Sequence, residues 1–159
     1  MTLYLDTSSA IKLYVSEPGS DEVRTLVEDA AVVATSVVTY AEARAALARL
    51  RRERALTAAD FRSAKREFER QWPSFLKLDA TDALCRTAGE LAELYRLRGF
   101  DSVHLASFAE VARRAGLRGT RFSSFDDRLN EAARKLAWRL GRHPSRVGRA
   151  ARRSSSVRR

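Results

Sequence analysis

The opening stretch Leu3-Tyr4-Leu5-Asp6-Thr7-Ser8 restricts the fold more than any other part of the chain. Leu3, Tyr4 and Leu5 make a short apolar run of strand-favouring side chains, the pattern of a strand buried on both faces. Asp6 stops the run, and a helical pattern follows at once with Ala10, Ile11, Tyr14 and Val15. A carboxylate therefore stands where the C-terminal edge of a central strand meets a helix N-terminus. Open α/β sheets hold their ligands in the crevice beyond such strand ends. The functional question is which other acids reach that crevice.

Downstream, strand and helix patterns alternate. A helix is expected to about residue 15, closed by the turn signal Glu17-Pro18-Gly19. A second helix over 20–28 carries Val23, Leu26 and Val27 on one face, and residues 32–35 read as a β-branched buried strand. A long amphipathic helix over 37–54 is followed by one that Thr57 to Asp60 caps and Pro73 closes. Residues 75–78 form a third strand candidate. A helix over 81–97 follows, with Gly99 as its left-handed C-cap. The next helix covers 102–115, then a weak fourth strand 121–123 and a last helix 126–140. Such alternation predicts a three-layer α/β/α fold around a parallel sheet.

The net charge of +10 is unevenly spread. Residues 139–159 hold eight Arg and no acid, and without them 22 basic residues face 20 acidic ones. The expected division is a single domain over 1–140 and an Arg-rich, disordered tail over 141–159. No apolar run approaches the ~20 residues that span a bilayer. No basic segment precedes an apolar stretch and cleavage site, so the expected compartment is the cytoplasm, without membrane attachment. A lone cysteine, Cys85, excludes an intrachain disulfide and multi-cysteine zinc patterns.

Four carboxylates occupy comparable places. Asp6 ends the first strand, Glu42 lies early in the helix after the second, Asp101 precedes a helix, and Asp126 follows the fourth strand. Singly, each has a local explanation. Asp6 and Asp101 read as N-caps, Thr39 and Glu42 as a capping box, and Asp126 and Asp127 as partners of a helix dipole. Jointly they point elsewhere: right-handed crossovers bring helix starts after parallel strands to one end of a sheet, so Asp6, Glu42 and Asp126 should converge, and Asp101 joins them if its helix begins at the same rim. Gathered carboxylates repel by roughly 1–4 kcal/mol per pair, so they must take up protons or hold a cation. An all-oxygen set without paired His or Cys favours Mg²⁺ or Mn²⁺. Such a site suits phosphodiester hydrolysis by metal-activated water.

The segments LYLDTSSAIKLYVSEPGSDEV, TSVVTYAEARAALAR, LAELYRLRGFDSVHLASFAEVARRAG and FSSFDDRLNEAARKLA, in this order and spacing, cover about residues 2–137. In them the chain resembles the PIN-domain ribonucleases, in particular the VapC-type toxins of bacterial toxin–antitoxin pairs. The resemblance implies a parallel sheet ordered 3-2-1-4-5 and a metal-dependent endoribonuclease. It also implies a homodimer and a VapB-like antitoxin that blocks the acidic cleft. Asp6, Glu42, Asp101 and Asp126 match the family's four acids, with Asp6, Asp101 and Asp126 on the metal and Glu42 bound directly or through water. Ser124 takes the place of the hydroxyl residue two before the fourth acid, Asp127 is the rival for that fourth role, and Ser8 matches the hydroxyl that supports the first. Two departures stand out: residues 137–144 lack the apolar run of a fifth strand, leaving four strands or five, and the Arg tail is foreign to the family core.

Other residues carry weaker signals. His104 reads as a neutral, hydrogen-bonded histidine beneath the site, with direct assistance to catalysis as the alternative. Cys85 reads as a core residue, and Leu47, Leu50, Leu56, Phe61 and Phe68 as helix-pair packing. Arg49, Arg51, Arg52 and Arg54 form a basic cluster that suits a solvated helix end or an RNA contact. Arg142, Arg146 and Arg149 in the tail are further RNA-binding candidates. Two rival functions are a haloacid-dehalogenase-like phosphatase and a catalytically silent module that binds RNA or an antitoxin. The phosphatase chemistry needs a second Asp where Ser8 stands, whereas the full set of four acids speaks against the silent module.

Overall fold

The computed structural model describes residues 1–142. Four parallel strands form its centre: β1 (Thr2–Leu5), β2 (Val32–Ser36), β3 (Leu76–Leu78) and β4 (Thr120–Ser123), in the order β3-β2-β1-β4. Thr2 lies opposite Val32 on one side and Thr120 on the other, so β1 is flanked by a strand at each edge. The pleat sends its side chains alternately to the two faces. Tyr4 joins the core beneath α5 (Asp82–Tyr95), α6 (Gly99–Ala115) and α7 (Asp127–Arg142), where it packs with Leu105, Phe108 and Leu129. Leu3 and Leu5 face α1 (Thr7–Ile11) and α2 (Ser20–Glu28) and pack with Ala10, Val23 and Leu26. Both leucines are wholly buried, worth about 1.5–3 kcal/mol each.

A third cluster joins α1 to the hairpin of α3 (Val38–Arg52) and α4 (Ala58–Gln71). Leu47 and Phe68 are fully buried there, with Leu50, Leu56 and Phe61 packed against them, as the sequence leads one to expect. Thr57 caps α4 in a capping box with Asp60, which fixes where the second helix of the hairpin begins.

Several local expectations change. The regular part of α1 stops at Ile11, and the chain turns through residues 12–19 before α2. Helix α5 ends at Tyr95, and Arg96, at φ +56°, takes the left-handed position that Gly99 was expected to hold. The Leu97 amide then reaches back to the Ala92 carbonyl at 3.1 Å while its side chain packs on the core. This closing motif draws its stability from the apolar residue after the left-handed one, which outweighs the ~1 kcal/mol that Arg96 loses by not being glycine. Gly99 instead begins α6, three residues earlier than expected. Cys85 is exposed rather than buried, because the inward stripe of α5 runs through Leu84, Ala88, Leu91 and Tyr95 and leaves Cys85 to one side. Helix α7 runs through Gly141 to Arg142, and no fifth strand occurs among the described residues. None of the described helices is long and apolar enough to cross a membrane.

Because all strands run the same way, the chain leaves β1, β2 and β4 at one rim. The Asp6 amide donates to the Ser123 carbonyl at 3.1 Å, and the Ser9 and Ser123 hydroxyls meet at 2.9 Å. These bonds hold the ends of β1 and β4 side by side.

Candidate active site

Asp6 sits at that rim, only 4% exposed. Its Oδ1 accepts the Ser9 amide at 2.8 Å, so it does cap α1. Two hydroxyls also serve the carboxylate: Ser8 Oγ lies 2.8 and 2.9 Å from its oxygens, and Ser124 Oγ donates to Oδ2 at 2.6 Å. Each hydroxyl ties in the next segment of chain. Ser8 Oγ accepts the Phe125 amide at 2.8 Å, and Ser124 Oγ accepts the Asp126 amide at 3.0 Å. Asn130 adds a third tie, donating to the Ser124 carbonyl at 2.9 Å. Burial nevertheless pushes the Asp6 carboxyl above its ordinary value, against the lowering effect of Ser124, Ser9, His104 and Ser8.

Glu42 is not part of a capping box. Helix α3 starts without a side-chain cap, and Thr39 bonds Thr35 instead, Oγ1 to Oγ1 at 2.7 Å. Glu42 Oε2 is held by the Thr7 hydroxyl and by His104 Nε2, the latter at 3.0 Å. His104 is 2% exposed, and its Nδ1 lies 3.0 Å from the Tyr4 hydroxyl. The partners assign one tautomer: Tyr4 donates to Nδ1, and Nε2–H donates to Glu42. Burial opposes ionisation of Glu42, yet the bonds from His104 and Thr7 outweigh it and hold the carboxyl below its ordinary value. Tyr4 is pushed far up by burial and stays a donor.

Asp101 is not an N-cap either. It lies in the first turn of α6, whose N-cap is Arg98, and it makes no hydrogen bond or ion pair among the described residues. Its carboxyl is raised by partial burial first and then by the charge of Asp126, with Glu42 adding to it and Arg98 opposing. Asp126 does cap its helix, accepting the Leu129 amide at 2.9 Å. All four acids line one cleft of about 770 Å³. Asp127 lines a smaller neighbouring hollow beside Arg98 and Asp101 rather than this cleft.

The basic candidates divide. Arg49 and Arg52 line the cleft, whereas Arg51 turns back toward the Leu56 carbonyl at 3.4 Å. Arg142 stacks over Trp138 at 4.6 Å, away from the cleft, and Arg146 and Arg149 lie outside the described residues. Sequence reasoning missed Thr7 and Tyr4, which act through partners distant in the chain. It also missed Arg98, Phe100 and Phe125, which line the cleft from loops and a helix start. Only the position of Phe100 and Phe125, each immediately before an acid, hinted at them.

Among the described residues, no three His, Cys, Asp or Glu side chains converge tightly enough to grip a metal ion unaided. The cleft's acidic donors are all oxygens, a set that suits Mg²⁺ or Mn²⁺, and Mg²⁺ keeps several waters and is held by one or two carboxylates together with substrate phosphate. Asp6 and Asp101 are both held above their ordinary values, Asp6 by burial and Asp101 by partial burial and then the Asp126 charge, and a divalent ion would favour the charged form of each.

A family model of the PIN domain matches residues 3–135. Ribonucleases VapC45 and VapC49 of Mycobacterium tuberculosis are each 33% identical over 138 residues, 87% of this chain and 93% of the relative. Ribonuclease VapC46 of the same organism is 33% identical over 135 residues, 84% of this chain and 92% of its own. The crystal structure of PAE2754 from Pyrobaculum aerophilum superposes with a TM-score of 0.57, covering 89% of this chain and 90% of that one. At 20% identity, that likeness speaks to the fold alone.

Proposed function

Since the chain belongs to the PIN domain family, by a match over residues 3–135, we propose that it is a Mg²⁺- or Mn²⁺-dependent endoribonuclease, the toxin of a VapBC-type toxin–antitoxin pair. The carrying observation is the single cleft that collects Asp6, Glu42, Asp101 and Asp126 from four separate stretches of chain. The relatives named ribonuclease, alike over most of both chains, support the same reading. The protein works in the cytoplasm as a homodimer, and a VapB-like antitoxin restrains it by covering the acidic cleft.

Asp6, Asp101 and Asp126 are the residues that would hold the ion, with Glu42 attached directly or through water. When bound, a divalent ion supplies Lewis acidity: it lowers the pKa of water and offsets charge on the leaving oxygen. The chain's own groups do the positioning. Ser8, Ser124 and the Ser9 amide orient Asp6 before any substrate arrives, so no reorganisation is needed at the moment of reaction. Thr7 and His104 fix Glu42 and keep it ionised. Arg98 lines the same cleft near Asp101 and would meet the substrate phosphate there.

The test is cleavage of a structured RNA in Mg²⁺, in Mn²⁺ and in EDTA. Defined internal cuts with either ion and none in EDTA are expected, and Asp6→Asn should abolish them while the far-ultraviolet spectrum is kept. Cutting that persists in EDTA, or in Asp6→Asn, would refute the assignment.

A further inference from the structure

Phe100 and Phe125 are large apolar side chains left open to water, 58% and 43% exposed, and both line the acidic cleft. Phe125 is not a loose ring. Its amide is tied to Ser8 Oγ at 2.8 Å, the hydroxyl that also holds Asp6. Lys12 Nζ stands 4.2 Å from the ring centroid, a cation–π contact. Lys12 is in turn fixed by Glu17 Oε1 and the Pro18 carbonyl, both at 2.7 Å. The ring edge also rests on Gly19, where an added Cβ would fall 2.3 Å from it. Phe125 is therefore an aromatic plane held in register with Asp6, with part of its surface presented to solvent. Phe100 occupies the first turn of α6 beside Asp101 and contributes a second ring to the same cleft.

The surrounding charge indicates what such rings meet. Arg49, Arg52 and Arg98 line this cleft. Arg52 and Arg98 form no ion pair among the described residues, and Arg49 reaches Glu53 only at 3.9 Å. Unpaired cations beside flat apolar surfaces complement a chain that alternates phosphates with bases. A base inside a duplex already has both faces covered, so stacking on a protein ring requires an unpaired nucleotide.

We propose that Phe125 and Phe100 are stacking platforms for unpaired bases flanking the phosphate that is cut, with Arg49, Arg52 and Arg98 on neighbouring phosphates. This assignment rests on the reading of the chain as a metal-dependent ribonuclease.

The experiment uses the full chain, Mn²⁺, and an oligoribonucleotide that contains one mapped cut site. Phe125→Ala and Phe100→Ala should each raise KM by roughly 5- to 150-fold, the range of one lost base stack, with kcat little changed. Phe125→Trp should restore KM. An abasic nucleotide beside the cut should raise KM for the unmodified protein and add little in the matching alanine variant, since both remove the same contact. Annealing the complementary strand across the cut should suppress cleavage. Unchanged KM in both alanine variants, additive penalties with the abasic substrate, or equal cutting of the duplex would each overturn the proposal. If RNA kinetics are unchanged while binding of a co-expressed antitoxin is lost, the rings serve a protein partner and the proposal also fails. No cutting by the unmodified protein with any divalent ion would sink the ribonuclease reading itself, and the stacking assignment with it.

Discussion

Asp101→Asn separates what the cleft costs from what it does. The Asp101 carboxyl titrates above its ordinary value because partial burial, and then the charges of Asp126 and Glu42, oppose its ionisation. The folded state therefore binds more protons than the unfolded one between the unfolded and folded values. Stability falls as pH rises through that window, and the full penalty is present at neutral pH. Asparagine removes the charge at nearly constant shape and breaks no hydrogen bond to a described residue. Two unit charges ~4 Å apart repel by about 1 kcal/mol in water and about 4 kcal/mol at a typical near-surface dielectric. Asp101 is half-buried, so solvent screening favours the lower end, about 1 kcal/mol. In a domain of this size that raises the unfolding midpoint by about 3–5 °C. The assay is thermal unfolding in EDTA at neutral and acid pH, beside RNA cleavage in Mn²⁺. The variant should melt higher at neutral pH, lose that advantage in acid, and cleave RNA about a hundredfold more slowly or worse. With Mn²⁺ at a hundred times its Kd, the unmodified protein should gain about 2.7 kcal/mol and reverse the order. A variant that melts below the unmodified protein in EDTA would refute the claim that this cleft holds uncompensated charge.

Two further substitutions probe the supports of the site. Thr7→Val removes a hydroxyl from Glu42, whose lowered folded value adds stability above its unfolded value and loses it as pH falls through the folded one. The variant should lose roughly 1–2 kcal/mol in urea unfolding at neutral pH and less in acid; an equal loss at both would show that Glu42 does not depend on Thr7. Gly19→Ala places a Cβ at φ +90° and against the Phe125 ring, so a loss of about 1 kcal/mol or more in thermal unfolding is expected, together with a raised KM for RNA. A raised midpoint there would mean that the ring swings aside freely and is not held as a platform.

The sheet was legible because buried parallel strands write themselves as short apolar runs, and Leu3 to Leu5 and Val32 to Thr35 are such runs. The boundary between α5 and α6 was not legible, since it depends on Leu97 finding the core rather than on where a glycine falls. Cys85 was misplaced for a related reason: apolar neighbours at Leu84 and Ala88 do not reveal which arc of the helix faces inward. At the site, Asp6 and Asp126 could be placed from local pattern because both end a strand-like run and open a helix. Glu42 was open to misreading because Thr39 stands at capping-box spacing. Its actual partners, Thr7 and His104, are 35 and 62 residues away along the chain, a separation over which no local rule operates. Arg98, Phe100 and Phe125 belong to no periodic pattern at all.

The four acids thus fall into two kinds. Asp6 and Asp126 perform the helix-capping role that local pattern assigned to one of them and the dipole reading approached for the other. Glu42 and Asp101 have no such local role in the described structure. A cap contributes about 1 kcal/mol whether or not anything binds, so capping alone would explain the retention of the first pair. It cannot explain Asp101, which lacks a hydrogen-bond partner among the described residues and is harder to ionise where it stands. Nor does capping fully account for Asp6, whose three hydrogen-bonding partners and the more distant His104 still fail to offset its burial. Both positions therefore stand against a penalty inside the folded chain, burial for Asp6 and burial with the Asp126 charge for Asp101, which a positive partner from outside the chain would relieve. A cation shared between the two, arriving with a polyanionic substrate, is the simplest agent that would turn each of these local penalties into a gain.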